Sequence, residues 1–224
     1  MKIIKLVCIL FYDMAKKKIL LYLGGRYTAI ERTYQYFQDI LEDYQIDKYE
    51  NVEIFDENTF FEYDTTIFFS QEGDLSHSQE INLLEFISSG KGFIGLHGAS
   101  ASFKAHPKYF EMLGGKFIGH KKIGSFNIKI IDKNHPITKD FADFSFDDEP
   151  YRHDFSMGGR IHILAEADYN DKEDPNLEPI IWVKNFGQGK VFFCALGHRT
   201  RSLKSVIFRT IIKRAAKWVL RDLN

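Results

Sequence analysis

Cysteine is nearly absent, with Cys8 and Cys194 the only two in 224 residues. Two thiols cannot build a disulfide framework or a cysteine-rich zinc site, which excludes knottin-like and zinc-ribbon classes. An excess of positive charge is also missing. Lys+Arg totals 30 against 31 Asp+Glu, a formal net charge of -1. A nucleic-acid module needs surplus cations to displace counterions from phosphates, so no nucleic-acid partner is expected. No apolar run approaches the ~20 residues that cross a bilayer, so no membrane partner is expected either. Repeats and low-complexity tracts are lacking. What remains is an ordinary globular composition, 44% hydrophobic and 27% charged, with 21 Phe to fill an aromatic core.

At the N-terminus, Lys2 and Lys5 precede an apolar run from Leu6 to Tyr12. The run is very short for a signal peptide and lacks a small-residue cleavage site. Met14 offers a second start, so residues 1–13 are expected to be an extension and residues 14–224 a single domain. A cytoplasmic protein follows from this reading, with export the alternative if residues 1–13 act as a leader.

The continuous apolar run Ile19-Leu20-Leu21-Tyr22-Leu23 ends at Gly24-Gly25, as a strand buried on both faces does. Ile30, Tyr34, Phe37, Leu41 and Tyr44 recur at helical spacing. Val52–Phe55 and Thr66–Phe69 read as the second and third strands. Ser76 or Ser78 is placed to cap a helix presenting Ile81, Leu84 and Ile87, closed by Gly90. Phe93–Leu96 is the fourth strand. Strands interleaved with helices predict an α/β sheet with right-handed crossovers.

The middle of the chain adds strands. Residues 126–131 alternate apolar and polar. Residues 144–146 and 161–164 are further strands, and Asn170–Pro179 reads as a surface loop. Ile180–Val183 and Val191–Cys194 form a pair around Gly187-Gln188-Gly189. Phe208, Ile211, Ile212, Ala215, Trp218 and Val219 stripe a closing amphipathic helix.

Ligands of open α/β sheets bind beyond the carboxyl ends of the strands. The residues there are Gly24-Gly25-Arg26, Gln71-Glu72, His97-Gly98-Ala99-Ser100 and Gly197-His198-Arg199. The segment Gly95-Leu96-His97-Gly98-Ala99 follows the outline of a nucleophile elbow, but with an imidazole in the nucleophile slot. Imidazole moves protons, binds metals or donates a hydrogen bond. The N–H groups of Gly98, Ala99 and Ser100 are expected at a helix start, where they suit an oxyanion or hydroxyl. In Asp147-Asp148-Glu149-Pro150-Tyr151, neighbouring acids are expected to push one another's pKa upward, as a general acid or base requires. Tyr151 suits stacking on a sugar ring or donation of its hydroxyl.

Five segments together resemble the trehalose-utilisation (ThuA-like) family. They are residues 90–100 ending in Gly95-Leu96-His97-Gly98-Ala99-Ser100, Leu113–His120, Asn134–Thr138, Asp147–Tyr151, and Gly187–Phe192 running on to Gly197-His198. The likeness extends from about Leu20 to Leu220. It implies a flavodoxin-like three-layer sandwich of the class I glutamine amidotransferase-like kind, with a central mostly parallel sheet and additional mid-chain strands. It also implies carbohydrate metabolism. Family members often carry a histidine in the turn after the first strand, where this chain has Gly25-Arg26-Tyr27.

Amidotransferase activity is not expected. It needs a cysteine at the elbow, where His97 stands, and a glutamate two places after the late histidine, where Thr200 stands. Cys194 reads as a buried hydrophobe. His135, His77, His106 and His162 read as structural or exposed.

These readings converge on an enzyme acting on a sugar or keto-sugar derivative, with a small-molecule carbohydrate as partner. Homo-oligomerisation is left open. His97, His120, Glu149 and His198 are the candidates for proton transfer. Gly25, Arg26, Gly98, Ser100, Tyr151 and Arg199 are the candidates for substrate binding. His97, His120 and His198, with Glu149 as a further ligand, could instead hold a divalent metal such as zinc, since three imidazoles with an open position make a known catalytic set. No H-E-x-x-H pair fixes such a site in the sequence. The alternatives are a non-catalytic carbohydrate-binding or scaffold domain, and a hydrolase using Ser100.

Overall fold

The computed structural model describes residues 16–25, 29–71, 73–169 and 176–223. The extension read over residues 1–13, and Arg26, lie outside them.

The apolar run of residues 19–23, preceded by Lys18, forms β1 (Lys18–Leu23), whose last five residues are all buried. It pairs in parallel with β2 (Gln45–Tyr49) on one side and β3 (Thr65–Phe69) on the other. Next come β4 (Gly92–Leu96) and, late in the chain, β11 (Gly189–Cys194), both parallel to their neighbours. The order β2-β1-β3-β4-β11 is that of a flavodoxin-like doubly wound sheet.

Helices α1 (Ile30–Ile40), α2 (His77–Ser88), α3 (Pro107–Leu113), α4 (Thr200–Lys204) and α5 (Val206–Val219) flank the strands. Successive residues of a strand face opposite sides. A Cβ on Gly92 would meet Val219 of α5, and one on Gly95 would meet Leu113 of α3. Positions 92 and 95 have opposite parity, so α3 and α5 cover opposite faces of β4. That is the three-layer arrangement the resemblance implies.

From β11 the sheet continues antiparallel through β10 (Glu178–Phe186), β9 (His162–Asp168), β6 (Gly124–Ile130) and β7 (Phe144–Asp148), giving nine strands in all. A separate two-stranded ribbon pairs β5 (Lys116–His120) with β8 (Tyr151–Asp154).

Three expectations need correction. Val52–Phe55 is not the second strand, since residues 53–56 form a 3-10 turn that buries Ile54 and Phe55. The strand is β2, an edge strand that buries only Ile46 and therefore shows a polar sequence. Ser76 does cap α2, accepting from the Gln79 N–H while Gln79 caps in return. However, the buried face of α2 is Gln79, Leu83, Phe86 and Ile87, while Ile81 is exposed. The aromatic cluster of Phe55, Phe60 and Phe86 sets that rotation, with Phe60 and Phe86 stacked at 4.3 Å. Finally, Glu178 and Pro179, read as part of a loop, already belong to β10.

Candidate functional site

The parallel register aligns Leu96 at the end of β4 with Cys194 at the end of β11. The residues that follow therefore leave the sheet side by side. His97 adopts a left-handed φ of 42°, which is uncommon for a residue with a side chain. It starts a short 3-10 turn, His97–Ala101. Gly98 is required by close approach, since a Cβ there would fall 2.5 Å from the Ser70 carbonyl oxygen. Opposite, Gly197 takes a φ of 127° and turns the chain so that His198 faces back toward His97.

The His97 ring is fixed by its neighbours. Its Nδ1 lies 2.7 Å from the carbonyl oxygen of Ala195. A carbonyl only accepts, so Nδ1 carries hydrogen and Nε2 presents a lone pair when the ring is neutral. Tyr151 packs on the ring at 4.0 Å between centroids. The His97 Nε2 then meets two groups, His198 Nδ1 at 3.2 Å and Glu149 Oε2 at 3.4 Å. His198 Nδ1 is itself 3.1 Å from the same Glu149 oxygen. The other carboxylate oxygen, Oε1, lies 3.3 Å from His120 Nδ1. His97 and Glu149 are buried, while His198 and His120 reach solvent.

Glu149 comes from the antiparallel half, at the corner between β7 and β8. Asp148 sets its position. That carboxylate is fully buried and accepts three backbone N–H groups, from Gly197 at 2.7 Å, Glu149 at 3.0 Å and His198 at 3.1 Å. One side chain thereby ties the β7 corner to the loop after β11. Asp148 was not singled out in the sequence. The signal was there, because Phe144, Phe146 and Asp148 share one strand face and that phase is the apolar one.

The expected upward shift of the Glu149 carboxyl is reversed. Burial does push it upward, but hydrogen bonds and charge from His198 and His97 outweigh burial and hold it below the usual carboxylate range. In return the Glu149 hydrogen bond raises His198, against the opposing effect of burial.

The remaining candidates are dispersed around this centre. Gly98 and Arg199 line a cleft beside it, together with Thr33, Phe69, Gln71 and His198. Gly25 packs on the Gln71 backbone at that edge. Tyr151 is buried behind His97, and burial raises its phenol. Ser100 is fully buried one layer deeper, where its hydroxyl donates to the His97 carbonyl and lies 3.2 Å from His153 Nε2. It therefore braces the elbow from behind and does not face the cleft. Cys194 is buried within β11, and burial pushes its thiol up to about 12. His135 holds its own turn by accepting from the Ile137 N–H, and His162 pairs with Asp132 at the surface.

Among the described residues the group whose atoms converge closely enough for a metal is His97, Glu149 and His198. Of the four residues considered for a metal, His120 falls outside this group, on the far oxygen of Glu149. The arrangement is also not a relay of the amidotransferase kind. In a relay the two nitrogens of the central imidazole face different partners. Here His97 and Glu149 both face the same nitrogen of His198, so three donor atoms surround one point.

The family model described as ThuA, trehalose utilisation, matches residues 18–219. No curated protein matches the chain in sequence. Among solved structures, a ThuA-like protein from Parabacteroides merdae is 18% identical, with a TM-score of 0.82, covering 93% of this chain and 91% of that one. A ThuA-like protein from Bacteroides uniformis is also 18% identical, with a TM-score of 0.78 and 93% of each chain covered. A glutamine amidotransferase from Thermotoga maritima is 12% identical, with a TM-score of 0.54, covering 92% of this chain and 98% of that one. At these identities the likeness shows the fold alone. Among the described residues no helix is long and apolar enough to cross a membrane.

Proposed function

Because the chain belongs to the ThuA trehalose-utilisation family, we propose that it is an enzyme acting on a sugar or keto-sugar derivative by proton transfer, without amidotransferase activity. The observation that carries this reading is the meeting of His97, His198, His120 and Glu149 around one carboxylate. They come from four separated segments of the chain, brought together by the β4–β11 register and the buried Asp148.

A sugar carbonyl acidifies the C–H beside it. A base removes that proton, and the electron pair moves onto the carbonyl oxygen as an enolate. The pair then returns by one of two routes. Where the acidified carbon bears a hydroxyl, that hydroxyl gives up its proton, the enolate oxygen takes one, and the former carbonyl carbon accepts the abstracted proton, which gives an isomer. Expulsion of a β-oxygen substituent, protonated as it leaves, gives an elimination product. Glu149 holds an imidazole on each of its two oxygens, so His198 and His120 are the proton-transfer groups. His97 Nε2 meets the same carboxylate oxygen as His198, at 3.4 Å. The absence of a thiol at the elbow and the burial of Cys194 support leaving amidotransfer out. A cytoplasmic location goes with this reading, and cell fractionation tests it against export.

The experiment is incubation of the purified protein with oxidised and unoxidised disaccharides, with and without a chelator, followed by mass analysis. The expected result is a new product from the keto-sugar alone. Binding of sugars without any product would replace the enzyme reading with a carbohydrate-binding domain.

A further inference from the structure

We propose that His97 Nε2, Glu149 Oε2 and His198 Nδ1 form a three-ligand site for a divalent transition metal of the zinc class, with a fourth position open toward the cleft. The pairwise separations are 3.1, 3.2 and 3.4 Å. Ligand atoms held at about 2.0–2.1 Å in a tetrahedron stand about 3.3–3.4 Å apart, so the three atoms already have the spacing of one tetrahedral face.

The hydrogen-bond inventory points the same way. Nδ1–H of His97 is committed to the Ala195 carbonyl, so the neutral ring directs its Nε2 lone pair at an ionised carboxylate that only accepts. One hydrogen on His198 Nδ1 cannot satisfy both. With the ring neutral, the contact needs a cation between the two acceptors, either a proton on Nε2 or a metal ion, and the residues around it are braced as metal ligands are. The Ala195 carbonyl fixes the His97 tautomer, and Asp148 holds the backbone of both Glu149 and His198. Two imidazoles and a carboxylate suit zinc, while magnesium and calcium favour all-oxygen sets. The open position follows from exposure, because His97 and His198 both line the cleft while Glu149 lies buried behind them.

This assignment deepens the proposed function and rests on it only for the reaction. A metal on Oε2 leaves His120, on Oε1, as the free base. Binding is tested without substrate. Chelator-stripped protein is titrated calorimetrically with zinc, and cobalt(II) is used as a spectroscopic probe. The expected result is one equivalent bound with intense visible bands of four-coordinate cobalt. His97→Ala and Glu149→Gln should each weaken zinc by at least about tenfold to a hundredfold and abolish the bands. His106→Ala serves as the control, because His106 is an imidazole paired with two carboxylates, Asp74 and Glu80, outside this site. Its binding should be unchanged. Circular dichroism melts identify any variant that fails to fold, and His198→Asn then stands in for it. Loss of zinc in His106→Ala, or equal zinc affinity in wild type and folded Glu149→Gln, would overturn the site. Keto-sugar turnover insensitive to chelator would remove the metal while leaving the proposed function standing. Zinc binding with no turnover would do the reverse.

Discussion

The five parallel strands and the four antiparallel ones meet at β11, and they follow different rules. The inner parallel strands are sandwiched between helices, so β1 from Ile19 onward and β4 are apolar without a break. The antiparallel strands alternate, as β6 does with Phe126, Ile128 and Ile130 inward and Ser125, Asn127 and Lys129 outward. The first half supplies the two imidazoles beside the elbow, and the second supplies the carboxylate between them. Neither half holds a complete site, which places the candidate chemistry at the seam.

The largest expected effect breaks that seam. Trp182 in β10 is fully buried, stacks on Phe193 at 4.2 Å and donates to the Leu113 carbonyl. Trp182→Ala should cost about 3–5 kcal/mol in denaturant unfolding. A single transition is expected, and two separate transitions would show that the halves fold independently. Next, Asp148→Asn keeps the shape but exchanges an acceptor for a donor against buried N–H groups. A loss of about 2–3 kcal/mol should follow, read in the same unfolding experiment. An unchanged midpoint would mean that the seam does not depend on that carboxylate.

His97→Ala tests chemistry and not architecture. Turnover should vanish while stability stays within about 1–2 kcal/mol. Unaltered turnover would take His97 out of the reaction.

A smaller effect depends on pH. Burial, then the charges of His162 and Lys190, lower His135 to about 4, despite the opposing charge of Asp132. The folded chain thus resists a proton that the unfolded chain takes up at about 6.5. The stabilisation is present above that value and is lost as pH falls toward 4, with a slope of at most about 1.4 kcal/mol per pH unit. Thermal melts of His135→Asn between pH 4 and 7 should be flatter than wild type by that one proton. The smallest effect is Lys129→Ala, on the exposed face of β6, which should stay within about 0.5 kcal/mol by denaturant melt.

The contrast also explains what the sequence could reveal. Buried apolar runs announced β1, β4 and β11, and the strand-end rule then located His97 and His198. β2 hid because an edge strand buries so little, while the 3-10 turn after it carries the apolar pair Ile54 and Phe55. The helical spacing of α2 admitted two apolar stripes, and only the contact with Phe60 chooses between them. In the acidic run, three charges in a row look like solvated surface. Strand phase alone separates buried Asp148 from its neighbour Asp147, which pairs with Arg201 outside. The sign of the Glu149 shift depends on imidazoles distant in sequence and could not be read locally.

Asp148 joins the middle of the chain to its last quarter through two amides, those of Gly197 and His198. A nascent chain that has completed only the β4 turn carries one imidazole and no carboxylate beside it. The site is therefore assembled last during synthesis, and any chain truncated before Gly197 would emerge without it, however well its first strands had folded.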